Sequence, residues 1–189
     1  SYTITTSSAA QIEQLTAADT VFGVSSDVTK TSPTVQTINS SGVVISSSGT
    51  VNDTFANYDP WKVFDDLPPD GRSSVNPHFD SWLVQAQSAW IQVDFGEATR
   101  VEKYEFGMPG ATLEQYMPQS WNLQGSNDGS SWTNLHSVSS FTWADNTPAQ
   151  SFELATPASY NIYRLNVSRS SGTYMGLDEL QFYGAVETS

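Results

Sequence analysis

Pro118–Trp132 reads PQSWNLQGSNDGSSW. Trp121 and Leu123 alternate with Asn122 and Gln124, the two-residue period of a strand with one buried face. Ser126, Asn127, Asp128 and Gly129 then stand together. Asn and Asp side chains bond their own backbone and Gly accepts positive φ, so the chain reverses there. Trp132 opens a second strand, continued by Leu135 and Val138. Read by itself, the segment is a β-hairpin.

Outward from the hairpin the same pattern recurs. Strands are expected at Val35–Ile38, Val43–Ser46, Ala89–Phe95, Val101–Met108, Ser120–Gly125, Thr133–Val138, Ala149–Glu153, Tyr160–Val167 and Gly176–Tyr183. In Tyr160–Val167 the apolar set changes phase, which calls for a bulge or for burial on both faces. Many short strands with turn signals between them, and no sustained helical period, indicate an all-β, two-sheet sandwich. Residues 1–34 differ. Ser8 can cap a short helix from Ala9 to about Ala18, with Gln11 in the capping-box position. Tyr2–Ile4 and Val21–Val24 are candidate short strands. The expected division is an N-terminal extension or linker over 1–34, a sandwich over 35–186 and a tail over 187–189.

The 189 residues suffice for one domain with a full core. Hydrophobic residues make up 38% and aromatics 12%, too much for a disordered chain even at net charge −13. Seven Lys plus Arg against twenty Asp plus Glu argue against a nucleic-acid binder, which needs a basic face. The same imbalance argues against attachment to anionic lipid, and no apolar run is long enough to insert across a bilayer. Neutral sugars and cations remain compatible. The chain has no cysteine, so no disulfide framework contributes to its stability. No Cys nucleophile, Gly-x-Ser-x-Gly elbow, His-Glu-x-x-His or phosphate loop is present, which leaves paired carboxylates from distant strands, as in glycosidases, as the catalytic alternative.

The hairpin with its GSNDG turn and following Trp132 closely resembles discoidin-type domains, also called coagulation-factor C-type or galactose-binding-like domains. Trp61–Asp65 (WKVFD) resembles their AFD motif, and Trp90–Gly96 (WIQVDFG) their W-I-x-V-D-x-G strand. Tyr163–Val167 (YRLNV) with Leu177–Gly184 (LDELQFYG) resembles their closing strand pair. The resemblance extends to family-32 carbohydrate-binding modules and to the discoidin modules of phage tail fibres. It implies a jelly roll with Ile91, Val93, Phe95, Tyr104, Phe106, Leu123, Leu165 and Phe182 in its core. It also implies that the long connections Val51–Ser88, Pro109–Pro118 and Ser168–Met175 gather near one end of the sandwich, where a ligand is expected. Most tryptophans are expected in the core, with Trp61 and Trp82 flanking the acidic loop and Trp143 exposed.

Two sites follow. Bacterial members commonly carry a calcium ion that pins the loop after the AFD motif to the final strand. Here Asp65, Asp80 and Glu179 match ligand positions, with backbone carbonyls near Lys62 completing an oxygen cage. The match is partial. Asp80 stands where the family often has Thr, Asp65-Asp66-Leu67 replaces DGN, and Pro68-Pro69-Asp70-Gly71 is inserted. A solvated acidic loop is the alternative. A sugar needs hydrogen-bonding groups beside an aromatic face. Arg72, His78, Tyr116, Arg169 and Tyr174 offer these in the loops, beside Phe79. Each also has a purely structural reading: arginines pairing with carboxylates, Tyr116 anchoring its loop, Tyr174 lying under the last strand. The expected function is a non-catalytic carbohydrate-binding or adhesion module of a larger secreted, cell-surface or phage-fibre protein, with a glycan or polysaccharide as partner. A structural virion or fibre module, contacting other copies or chains and lacking a sugar site, is the alternative. A lipid-binding discoidin domain is disfavoured because the loops are acidic.

Overall fold

The computed structural model describes residues 10–11, 20–21, 24–25, 28–51, 58–64, 81–107, 115–144 and 148–186. The order of elements is β1 (Ala10–Gln11), β2 (Thr20–Val21), β3 (Val24–Ser25), β4 (Val28–Ser32), β5 (Val35–Ile38) and β6 (Val44–Ser47), then a 3-10 helix (Pro60–Phe64). After it come β7 (Trp82–Val84), β8 (Ser88–Phe106), β9 (Ser120–Ser126), β10 (Thr133–Val138), β11 (Gln150–Glu153), β12 (Ser159–Ser168), β13 (Met175–Leu177) and β14 (Leu180–Val186).

The two layers share one strand. Along its first half β8 lies between β12 and β6, with Val93 opposite both Tyr163 and Ile45. Along its second half it lies between β11 and β14, with Phe106 opposite both Gln150 and Leu180. One layer therefore runs β10-β9-β12-β8-β6-β5-β4, and the other is built on β11, β8 and β14, with β1 added beside β14. Gly96, at φ 71°, takes a conformation that L-residues with a Cβ avoid. Tyr163 braces the next segment: its hydroxyl donates to Thr99 O at 2.5 Å and accepts from Val101 N at 3.2 Å. Burial pushes that phenol up to about 12.

Alternation explains the core. Ile91, Val93 and Phe95 of β8, Trp121 and Leu123 of β9, and Tyr163, Leu165 and Val167 of β12 are all buried. They meet Tyr104, Phe106 and Phe182 of the other layer. Phe95 sits edge-on to both Tyr163 and Phe182, at 6.0 and 6.5 Å between ring centroids. Phe106 meets Trp121 edge-on at 4.9 Å. All eight residues named for the jelly-roll core are there. Of the tryptophans, Trp61, Trp82 and Trp121 are in the core, whereas Trp90, Trp132 and Trp143 are half-buried.

The strand pattern departs from expectation at four places. Ala89–Phe95 and Val101–Met108 are parts of the single 19-residue β8. Gly176–Tyr183 is instead two strands, because β13 pairs with β7 and β14 with β8. Ala10 and Gln11 are not helical: they pair with Gly184 and Tyr183 of β14. Val21 and Val24 do not share one strand: they lie opposite each other in β2 and β3, which pair with each other. The Tyr2–Ile4 strand lies outside the described residues. The phase change in β12 is a bulge, with the register against β8 shifting between Tyr160 and Ile162. Strand pairing also precedes residue 35, since β4 pairs with β5. Lys30 of β4 holds the buried Asp59 at 2.8 Å, just before the 3-10 helix.

Candidate functional site

The hairpin turn is built as its residues dictate. Asp128 Oδ1 accepts the N–H groups of Ser130 and Ser131 at 2.8 and 2.7 Å, and Ser126 Oγ accepts that of Gly129 at 2.9 Å. The bonds from Ser131 and then Ser130 hold the Asp128 carboxyl well below the usual carboxylate range. Gly129 sits at φ 70°. Gly125 has a packing role, because a Cβ there would come within 2.3 Å of the Tyr160 ring. The side chains of Ser126 and Asp128 are thus engaged in holding the turn.

The opposite end is where the loops converge. Arg169 follows β12, and its backbone N–H donates to Gln87 O at 3.0 Å. Its guanidinium donates from Nε to Ser171 O at 2.8 Å and from Nη1 to Met117 O at 3.0 Å. Burial lowers its pKa from the ordinary arginine value, while leaving it cationic. Arginine carries five N–H donors, so the remaining guanidinium edge has no partner among the described residues. Gly172, at φ 98°, lies against the guanidinium, and a Cβ there would stand 3.6 Å from Nε. Tyr116 O accepts from Gly176 N at 3.0 Å, which ties the 115–119 segment to the start of β13. Tyr174, 36% exposed, is the one large apolar side chain that is exposed among the described residues.

Three of the five expected sugar contacts, Tyr116, Arg169 and Tyr174, thus lie on connected loops at one end of the sandwich. Arg169 spends its bonds on carbonyls rather than on carboxylates. Arg72 and His78 lie outside the described residues. Beside Arg169 is a cavity of about 440 Å³, lined also by Gln119, Ser140, Phe141, Thr142 and Ser170. Gln119 Oε1 accepts from both N and Oγ of Ser170 at 2.9 Å. Ser140, at φ 57°, donates its N–H to Ser120 Oγ at 3.1 Å. A non-glycine residue in this region is the kind of local strain found at binding sites. The 139–143 segment had no place among the expected contacts. Its signal was the aromatic pair Phe141 and Trp143 in a Ser-rich stretch. Trp143 is not exposed, contrary to expectation: it is half-buried, and its Nε1 donates to Pro118 O at 2.8 Å.

Of the expected calcium ligands, Asp65 and Asp80 lie outside the described residues. The described residues contain no cluster of three or more His, Asp or Glu side chains able to hold a metal. They do include Glu179 and the residues around Lys62, the other two expected contributors. Glu179 is buried, with both carboxylate oxygens out of reach of solvent. The 3-10 helix that ends at Phe64, including Lys62, is buried throughout. Phe64 stacks on Phe182 at 6.1 Å, which holds that helix against the last strand. Oxygen donors from these two places suit a hard cation.

Residues 44–179, more than half of the chain, match the F5/8 type C domain family. The chain belongs to that family. No curated protein matches it in sequence. Among solved structures it is similar to CpGH89CBM32-5 from Clostridium perfringens, in complex with GalNAc-β-1,3-galactose. The TM-score is 0.58 at 12% identity, over 76% of this chain and 95% of that one. It is also similar to the family 32 carbohydrate-binding module from C. perfringens NanJ in complex with galactose (TM-score 0.56, 14% identity, 75% and 93% covered). A third likeness is to chitosan-binding module 1 of a chitosanase/glucanase from Paenibacillus sp. IK-5 (TM-score 0.54, 16% identity, 74% and 93% covered). At these identities the likeness is one of fold.

Proposed function

We propose that the chain is a non-catalytic carbohydrate-binding module of a larger extracellular protein, and that its sugar site is the rim around Arg169. The observation that carries this reading is the conjunction there of an exposed Tyr174, a guanidinium edge left open beside Arg169's two carbonyl bonds, and a cavity rich in hydroxyls and amides. A sugar presents C–H faces to aromatic rings and hydroxyls to such donors. The solved neighbours that carry bound sugars favour the same reading.

Single modules with open sites bind weakly. A dissociation constant near 1 mM corresponds to only about −4 kcal/mol, so firm attachment needs several copies. A multimerised form should bind a broad glycan array while the monomer binds poorly. Tyr174→Ala or Tyr116→Ala should weaken that binding, with the melting temperature kept near wild type. If the multimer is silent on the array and Tyr174 proves buried against another chain, the domain is a structural fibre module instead.

We further propose that one calcium ion joins the segment following the 3-10 helix to the last strand, with Glu179, the residue just before that strand, as its ligand there. The buried carboxylate oxygens of Glu179 support this, being hard donors of the kind calcium takes. The ion would act on stability and loop order, not on chemistry.

A further inference from the structure

Successive strand residues face opposite ways, so the buried positions of β8, β9 and β12 fix what their neighbours present outward. On the outer face of the larger layer stand Trp90, Asn122 and Asn166, with Gln92, Gln124 and Arg164 one row further along. These side chains bond one another. Asn166 Nδ2 donates to Gln124 Oε1 at 2.8 Å, and Asn122 Nδ2 to Asn134 Oδ1 at 3.0 Å. Arg164 donates from Nε and Nη2 to Gln92 Oε1 at 3.0 and 2.8 Å. Its guanidinium carbon lies 4.3 Å from the centre of Trp90 and 4.2 Å from that of Trp132. The cation between two indoles holds Trp90 in place. Each amide has two donors and two acceptor lone pairs, so the single bonds of Asn122 and Asn166 leave most of their capacity open.

A groove of about 470 Å³ crosses this face at the strand ends. It passes Val138 on β10, Ser120 on β9, Ser168 on β12, Ser88 on β8 and Ser48 beyond β6. Trp90, Asn122 and Asn166 line it. Four strand spacings of roughly 4.8 Å make it about 19 Å long, several sugar rings rather than one. It shares Ser120 and Ser168 with the cavity beside Arg169, so a chain can pass from the rim onto the sheet. No charged side chain among the described residues lines it. A neutral ligand leaves no charge unpaired there, whereas a polyanion would meet a protein of net charge −13 with no cation among the groove's described lining residues.

We propose that this groove takes an internal run of a linear, neutral polysaccharide, stacked on Trp90 and hydrogen-bonded by Asn122 and Asn166. The proposal rests on the carbohydrate-binding reading above and extends it from one sugar at the rim to a chain along the sheet edge. Affinity electrophoresis tests it, with the whole chain run through gels holding β-galactan, galactomannan or laminarin. Polygalacturonate serves as the charged control and free galactose as a competitor. A neutral polysaccharide should retard the protein, and free galactose should not release it. Trp90→Ala and Asn122→Ala should each weaken retention about tenfold, a typical loss for a central contact. Asn122 is a surface amide, so its variant should melt like wild type and serves as the second test if Trp90→Ala unfolds. Wild-type retention by both variants, while Tyr174→Ala abolishes it, overturns the groove and leaves the rim site standing. So does retention by polygalacturonate alone, or binding to array glycans with no retardation in any neutral gel. Silence towards every glycan overturns both.

Discussion

His136 shows how one residue's surroundings set its chemistry. It sits on β10 with its ring 5.7 Å from those of Tyr104 and Phe152, and its Nδ1 shares a 2.7 Å hydrogen bond with Tyr104 OH. The same hydroxyl accepts from Trp121 Nε1 at 2.8 Å, leaving its own proton for the imidazole. Burial lowers the His136 pKa from the ordinary histidine value. The folded state therefore prefers neutral imidazole. The stability this contributes is present above the unfolded value of about 6.5 and is lost as pH falls below it. The melting temperature of wild type should fall more between pH 8 and pH 5 than that of His136→Phe, and equal falls would refute the assignment. At this scale the sequence was legible where side-chain identity and local alternation suffice, as for Trp121, Leu123 and the Asp128 turn. It was not legible for Arg164 between Trp90 and Trp132, because that contact joins β12 and β8 to the residue before β10, which are distant in sequence.

Between elements, the 3-10 helix and β14 form the seam that calcium would close. Anything that binds only the folded state raises stability by mass action, about 2.7 kcal/mol at a hundredfold excess over its dissociation constant. Melts should rise in millimolar calcium and fall after chelation, and Glu179→Gln should flatten the difference. Identical wild-type melts in both conditions, with metal removal verified, would count against the ion. Element boundaries were legible where both ends carry turn residues, as for β9 and β10. They were not where tertiary pairing overrides a local signal. Ser8 and Gln11 spell a helix start, yet Ala10 and Gln11 extend the edge of β14, because a helix signal of this length is weak against strand pairing. Of the candidate site, the loops around Arg169 were legible from their length and composition. The 139–143 wall was not, since its one signal, the aromatic pair Phe141 and Trp143, does not tell a binding wall from core packing.

Across the whole molecule, Phe95 is the contact that ties the layers together through Tyr163 and Phe182. Phe95→Ala should cost about 3–5 kcal/mol, read as a lower denaturant midpoint at unchanged slope, and a midpoint near wild type would contradict the cross-layer core. The overall architecture was legible because four motifs in order constrain it more than any one strand does. The sharing of β8 was not, since Gly96 and Glu97 interrupt the alternation and the strand reads as two. That shared strand has a consequence for exchange of backbone amides with solvent. β8 cannot leave one layer without losing its place in the other, so its two halves have no separate low-energy route to solvent. Their slowest amides should exchange only by global opening, at the same rate as those of β9 and β12. A glycan held at the Arg169 rim would then slow exchange on the far layer, which it never touches.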